Sequence, residues 1–336
     1  MLNSLLVNKD EASIYAIDSD ERSSCIDRYI VSTPESRMIC NDPFVVGNQY
    51  TKLLRKACTS VLTNLANIQK LNIKEQETIV FHILRGGLNF GLREALADAY
   101  GWNCHGSAFI SAQRARISKN SEDWHITESH YKKVYTPKIA TAVFGDVVAT
   151  GTSLKHAINE LVKAVKEQDS QLKSLLFFTI GGKKSEEIIC EADKLCRDLF
   201  PEYQKSSIIY FEGRFEVADK DTPLFTKITG TDLIRRYSLM APEFVESQYE
   251  QPSYPIERCT IYDAGSRAFW LPEYMEDVLE YCGKVNLLAE SGINFENVLT
   301  KRFPDLERER FGDINLNDLS KEQMRKAETI LNKFNI

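Results

Sequence analysis

Hydrophobic positions recur along this chain with two different periods. Between Asn48 and Asn72 the residues Leu53, Leu54, Ala57, Val61, Leu62, Leu65 and Ile68 fall three or four apart, which predicts an amphipathic helix. Four short apolar runs follow: TIVFHIL at 78–84, KIATAVF at 138–144, SLLFFTI at 174–180 and SSIIYF at 206–211. Helical spacing returns at Leu88–Tyr100, Leu154–Lys166 and Ser185–Leu199. Continuous apolar runs alternating with helices predict a parallel sheet covered on both faces. Residues 1–45 are polar and weakly periodic, with a Ser32-Thr33-Pro34 cluster, and read as an arm or a partner-contacting extension. Near the other end, Ser320-Lys-Glu-Gln323 reads as a capping box ahead of a stripe of Met324, Ala327, Ile330, Leu331 and Phe334. Residues 260–282 read as a turn and a helix packed by aromatics. The expected division is an N-terminal arm and helix at 1–70, an α/β core at 71–236 and a mainly helical cap or partner-docking region at 237–336.

Composition narrows the classes. With 336 residues and 43% apolar content the chain can bury a large core. A net charge of −6 argues against a general nucleic-acid binder. The charge is uneven: Ala241–Ile336 holds 18 acids against 11 bases. Eight scattered cysteines without a CxxC pair read as free thiols in a reducing compartment. No basic, apolar leader opens the sequence and no run of about 18 apolar residues occurs, so a cytoplasmic protein off the membrane is expected. The five histidines lack metal-binding spacing, and no histidine metal site is expected; His82, inside an apolar run, reads as a core residue.

In a parallel α/β sheet, ligands bind at the carboxyl ends of the strands. The unusual turns fall there: Arg85-Gly86-Gly87-Leu88, Gly145–Ser153, Gly181-Gly182-Lys183-Lys184 and Glu212-Gly213-Arg214. The stretch FGDVVATGTSL (144–154) places one carboxylate, Asp146, before a turn of small residues that opens a helix. Such a turn aims backbone N–H groups and the hydroxyls of Thr150, Thr152 and Ser153 at one point, suited to a phosphate, while Asp146 can accept from sugar hydroxyls. Neither a P-loop nor a dinucleotide fingerprint fits the glycine spacing. Arg85 beside two glycines suits pyrophosphate oxygens. Ser111–Lys138 carries six bases against three acids, including Arg114 and Lys132, and reads either as a mobile lid or as a solvated loop.

VFGDVVATGTSL resembles the PRPP-binding loop of the type I phosphoribosyltransferases, in which two acids and an aliphatic pair precede a Thr-Gly-Gly-Thr-like turn. Gly145 stands where the first acid is usual, Asp146 matches the second, Val147 and Val148 the pair, and Ala149, Thr150, Gly151, Thr152 and Ser153 the phosphate turn. ILRGGLNFG (83–91) is similar to the pyrophosphate loop of the uracil phosphoribosyltransferase branch. The resemblance spans about Glu77–Arg236. It implies a phosphoribosyltransferase-type core, catalysis through Asp146 and Arg85, and Mg2+ bound with PRPP. It also implies pyrophosphate contacts from Arg85, Gly86, Gly87, Arg114 and Lys132, and a nucleobase-like acceptor near Phe211 and Arg214. Nucleic acid is not expected as a direct ligand; a protein partner on 237–336 and self-association fit the layout. Three readings stay open: a transferase releasing pyrophosphate, a non-catalytic PRPP or nucleotide-binding regulator, and a nucleotide-targeting effector of a defence or toxin system.

Overall fold

The computed structural model describes residues 2–9, 11–17, 26–84, 86–116, 124–219, 221–222, 233–256 and 270–334. The chain opens with β1 (Leu2–Lys9), β2 (Ala12–Ile17) and β3 (Ile26–Ser32), then α1 (Pro34–Asn41) and α2 (Gly47–Asn67). Next come β4 (Thr78–Leu84), a short 3-10 turn at Gly86–Phe90, α3 (Leu92–Tyr100) and β5 (Gly106–Ser111). A small antiparallel pair, β6 (Gln113–Arg116) and β7 (Trp124–Glu128), and the short β8 (Lys132–Lys133) precede β9 (Ile139–Val148). The chain continues through α4 (Thr152–Glu167), β10 (Gln171–Gly182), α5 (Lys183–Leu199), β11 (Lys205–Val217) and β12 (Leu233–Met240).

The four apolar runs become β4, β9, β10 and β11, and they are buried almost throughout. The central ribbon is parallel in the order β3-β11-β10-β9-β4-β5, with β1 and β2 added antiparallel beyond β3. α2 and α3 pack together, as do α4 and α5; the crossovers through α3 and through α4 and α5 run in opposite directions along the sheet, which for right-handed connections puts them on opposite faces. Local chemistry sets the helix ends. Thr33 caps α1 in a capping box with Ser36, with Pro34 in the first turn. Gly101, in the left-handed region at φ 70°, stops α3.

Two parts of the sequence pattern gave a different impression. The presumed arm at 1–45 is instead three strands and a helix, and β3 runs parallel to β11 from Ile26↔Ser206 to Val31↔Phe211. Its polar look comes from residues such as Arg28, buried in mid-strand with its charge paired. β5 was not anticipated, since GSAFIS mixes small and polar residues.

The C-terminal region is helical: α6 (Pro242–Ser247), α7 (Leu271–Glu290), α8 (Phe295–Arg302) and α9 (Leu316–Leu331), with α7 and α9 packed together. It is joined to the sheet domain by directional bonds. The Tyr274 hydroxyl donates to the Pro43 carbonyl at 2.9 Å, and Asn41 donates to Ser247 at 2.8 Å. Ser320 caps nothing: it is buried inside α9 and donates to Asn286, while Asn315 caps the helix by accepting from Asn317 and Asp318.

Candidate active site

Reading the strands that carry the crossovers in chain order, β4, β5, β9, β10 and β11 lie in the spatial order 2-1-3-4-5. The order reverses between β4 and β9, and a crevice outside the carboxyl ends is expected at such a reversal. Here the strands also part. β4 and β9 pair only from Thr78–Val80 to Thr141–Val143, although each runs several residues further. The turn at Gly86–Phe90 flanks this opening on one side and Asp146–Ser153 on the other.

β9 delivers Asp146 at its carboxyl end, partly exposed, where one carboxylate oxygen accepts from the Val147 amide at 3.0 Å. Thr179 of β10 donates to the Asp146 carbonyl at 2.8 Å and pins the backbone from the next strand. The chain then turns through Ala149 and Thr150 to Gly151, which takes φ 77° and caps α4. Among the described residues no side chain caps that helix and no acid lies in its first turn. The first amides of α4 therefore face the mouth with their donors open, and the helix dipole favours an anion there. The Thr150 and Thr152 hydroxyls stand 3.4 Å apart beside them.

Gly145 has a steric reason to be glycine. A Cβ there would lie 2.5 Å from the Phe90 ring, and Phe90 is fully buried. In turn a Cβ on Gly87 would meet the Gly145 carbonyl oxygen at 2.9 Å. The two loops interlock across the switch point, so an aromatic ring fills the space that a side chain at 145 would need.

His82, within β4, is buried and stacks on Phe109 with ring centroids 4.8 Å apart. Burial, with Arg93 nearby, pushes its imidazole down to about 4, so it is neutral and fits a core role.

Sequence reasoning missed a second polar cluster at the carboxyl ends of β3 and β11. β11 bulges there: Thr179 pairs with Tyr210, but Gly181 pairs with Arg214. Within the bulge Glu212 has φ 63° and is fully buried. Its carboxylate accepts from Ser32 Oγ at 2.7 Å, from the Thr33 amide at 3.1 Å and from the Ser36 hydroxyl, so it anchors the start of α1. Burial pushes this carboxyl up to about 7, opposed by the Ser36 and Ser32 donors and the Arg37 charge. A Thr-Pro pair at a helix start was the available sequence signal for α1; nothing local to Glu212 announced its partners.

The other expected site residues divide. Gly86 and Gly87 flank the crevice with Asp146–Ser153. Arg85 and the middle of the basic segment, 117–123, lie outside the described residues, as does the Arg114 side chain. Lys132 is engaged with Glu160 of α4 at 3.0 Å, which supplies the counter-charge that its sequence neighbourhood lacked. Phe211 is not placed to stack on a ligand: it is fully buried, with Phe178 stacked 6.2 Å away, because β11 is covered on both faces. Arg214 is committed to Glu186 of α5 at 2.9 Å, and Arg28 holds the other oxygen of that carboxylate at 2.7 Å. Among the described residues no group of three His, Cys, Asp or Glu could hold a metal ion, and no helix is long and apolar enough to cross a membrane.

No family model and no curated protein matches the sequence. Solved structures similar to it include phosphoribosyltransferases. A hypoxanthine-guanine phosphoribosyltransferase from Bacillus anthracis is 16% identical, over 39% of this chain and 69% of that one, at a TM-score of 0.25. A hypoxanthine phosphoribosyltransferase from Staphylococcus aureus is 16% identical over 48% and 74%, at 0.27. The Trypanosoma cruzi enzyme in complex with its product IMP is 16% identical over 39% and 68%, at 0.24. Superpositions this loose carry no weight for function; the strand order and the loops at its reversal do.

Proposed function

We propose that the protein binds PRPP at the β4/β9 switch point and transfers its phosphoribosyl group to a nitrogenous base, releasing pyrophosphate. The observation that carries this reading is the uncapped, acid-free start of α4, set beside Asp146 at the point where the strand order reverses. The α4 amides and the Thr150, Thr152 and Ser153 hydroxyls take the 5-phosphate, and Asp146 accepts from the ribose hydroxyls. In the transfer, the bond between C1 of the ribose and the pyrophosphate oxygen breaks with its electron pair going to the oxygen. The base nitrogen donates the pair that forms the new bond to C1, and its proton leaves to solvent. The protein's part is to position the reactants and stabilise charge. The residues here would take magnesium only together with PRPP, with Asp146 the nearby carboxylate, and the ion would supply positive charge to the leaving pyrophosphate.

A second reading, a binder without turnover, is favoured by the Phe90–Gly145 interlock, which leaves Asp146 without an acidic neighbour at 145. Calorimetry with PRPP and magnesium on the wild type and on Thr150→Val/Ser153→Ala tests the site; equal affinities would remove it. Pyrophosphate release with a panel of bases, wild type against Asp146→Asn, separates the two readings. A transferase loses about ten- to a hundredfold in rate on losing this charge-assisted partner. A binder releases none with any base.

A further inference from the structure

We infer that Lys184, at the start of α5, is the cation of the phosphate subsite, exchanging its partner Glu187 for the anion when ligand arrives. The inference rests on the PRPP-site reading and adds a residue that was expected to contribute only through a turn. Gly151 packs directly on α5: a Cβ there would come within 2.2 Å of Ile188 Cδ1 and 3.5 Å of Lys184 Cγ. The stem of Lys184 thus lies along the turn that opens α4. Its ammonium is paired with Glu187, 2.7 Å away on the same helix, and both side chains are about half exposed at 53% and 50%. An exposed pair of this kind is weak, so an arriving phosphate can displace the carboxylate at little cost.

Of the neighbouring cations, Lys132 and Arg214 are held in less exposed pairs, by Glu160 at 3.0 Å and Glu186 at 2.9 Å. Lys155, in the first turn of α4, is paired with Glu191 at 2.7 Å and as exposed as Lys184, but it is the stem of Lys184 that meets Gly151.

The test uses the full chain and calorimetry with ribose 5-phosphate, comparing the wild type with Lys184→Gln, Lys184→Arg and Glu187→Gln. Loss of a charged partner to phosphate is expected to weaken binding roughly tenfold or more in Lys184→Gln, with Lys184→Arg retaining most of the affinity. Glu187→Gln, which frees the ammonium, is expected to tighten binding about two- to fivefold, by the modest strength of a surface pair. A merely structural lysine would not produce that opposite sign. Wild-type binding with Lys184→Gln and Glu187→Gln unchanged overturns the role of Lys184 and leaves the site standing. Absence of binding in the wild type, to ribose 5-phosphate and PRPP alike, overturns the site and this role with it.

Discussion

Introducing an acid at position 145 is expected to damage the protein. Gly145 carries no positive φ, so the restriction is space alone. The first atom of any side chain there lies 2.5 Å from the Phe90 ring, against a comfortable carbon–carbon separation of about 3.5–4.0 Å, so the ring must retreat by about 1 Å or more. Phe90 is fully buried, and interiors packed to crystal density do not yield that distance freely. If the ring only shifts, overpacking costs about 1–3 kcal/mol; if it is expelled, the loss approaches the about 3–5 kcal/mol of a Phe→Ala change. Gly145→Ala should show most of this effect, and Gly145→Asp should add the penalty of a desolvated carboxylate. Denaturant midpoints for both variants measure it. A cycle with Phe90→Ala should then give a favourable coupling of about 1 kcal/mol or more, because removing the ring makes the room that the new side chain needs. Gly145→Asp unfolding at the wild-type midpoint, with tighter PRPP binding, would show that the ring gives way and refute the interlock.

Glu212 makes stability depend on pH in the direction opposite to an ordinary ion-paired carboxylate. Its folded value is raised from 4.5 to about 7, so between those values the folded state keeps a proton that the unfolded chain has lost. Stability should therefore fall by something on the order of 3 kcal/mol as pH rises through this window and level off above it; Glu212→Gln should flatten that part of the midpoint-against-pH curve, and an unchanged slope would exclude Glu212 as its source. Phe211→Ala should cost about 3–5 kcal/mol in stability while leaving the preference among bases unchanged in a pyrophosphate-release assay; a shifted preference with little loss of stability would return the ring to the ligand.

The parallel core was legible because strands buried on both faces are written as unbroken apolar runs, and β4, β9, β10 and β11 all are. The turn that opens α4 was legible because it is local: Asp146 and Thr150–Ser153 are neighbours in the chain as well as in space. What failed to show was chemistry made by distant pairs. Gly145 read as a lost acid until Phe90, 55 positions earlier, was seen on top of it. Glu212 looked like a turn residue, because its donors at Ser32, Thr33 and Ser36 stand at the end of the neighbouring strand but come from the N-terminal part of the sequence. β3 escaped notice for the same reason, its Arg28 being neutralised by Glu186 on α5. Ser320 misled because its spacing to Gln323 matches a capping box, while the helix had already begun at Leu316 under Asn315.

The pairing of β3 with β11 has a consequence for how the chain is made. Ile30 lies opposite Tyr210, about 180 residues downstream. At a synthesis rate of about 5–20 residues per second, β3 leaves the ribosome roughly ten to forty seconds before the strand it must join. Through that interval β1, β2 and β3 can pair as an antiparallel meander, with α2 the helix that contacts β2. The β3–β11 seam can close only after β11 arrives, so β3, made well before it, is among the last strands to be secured. Any truncation or slow codon run ahead of residue 205 leaves β3 waiting with an open edge, where pairing with another nascent chain competes with the native seam.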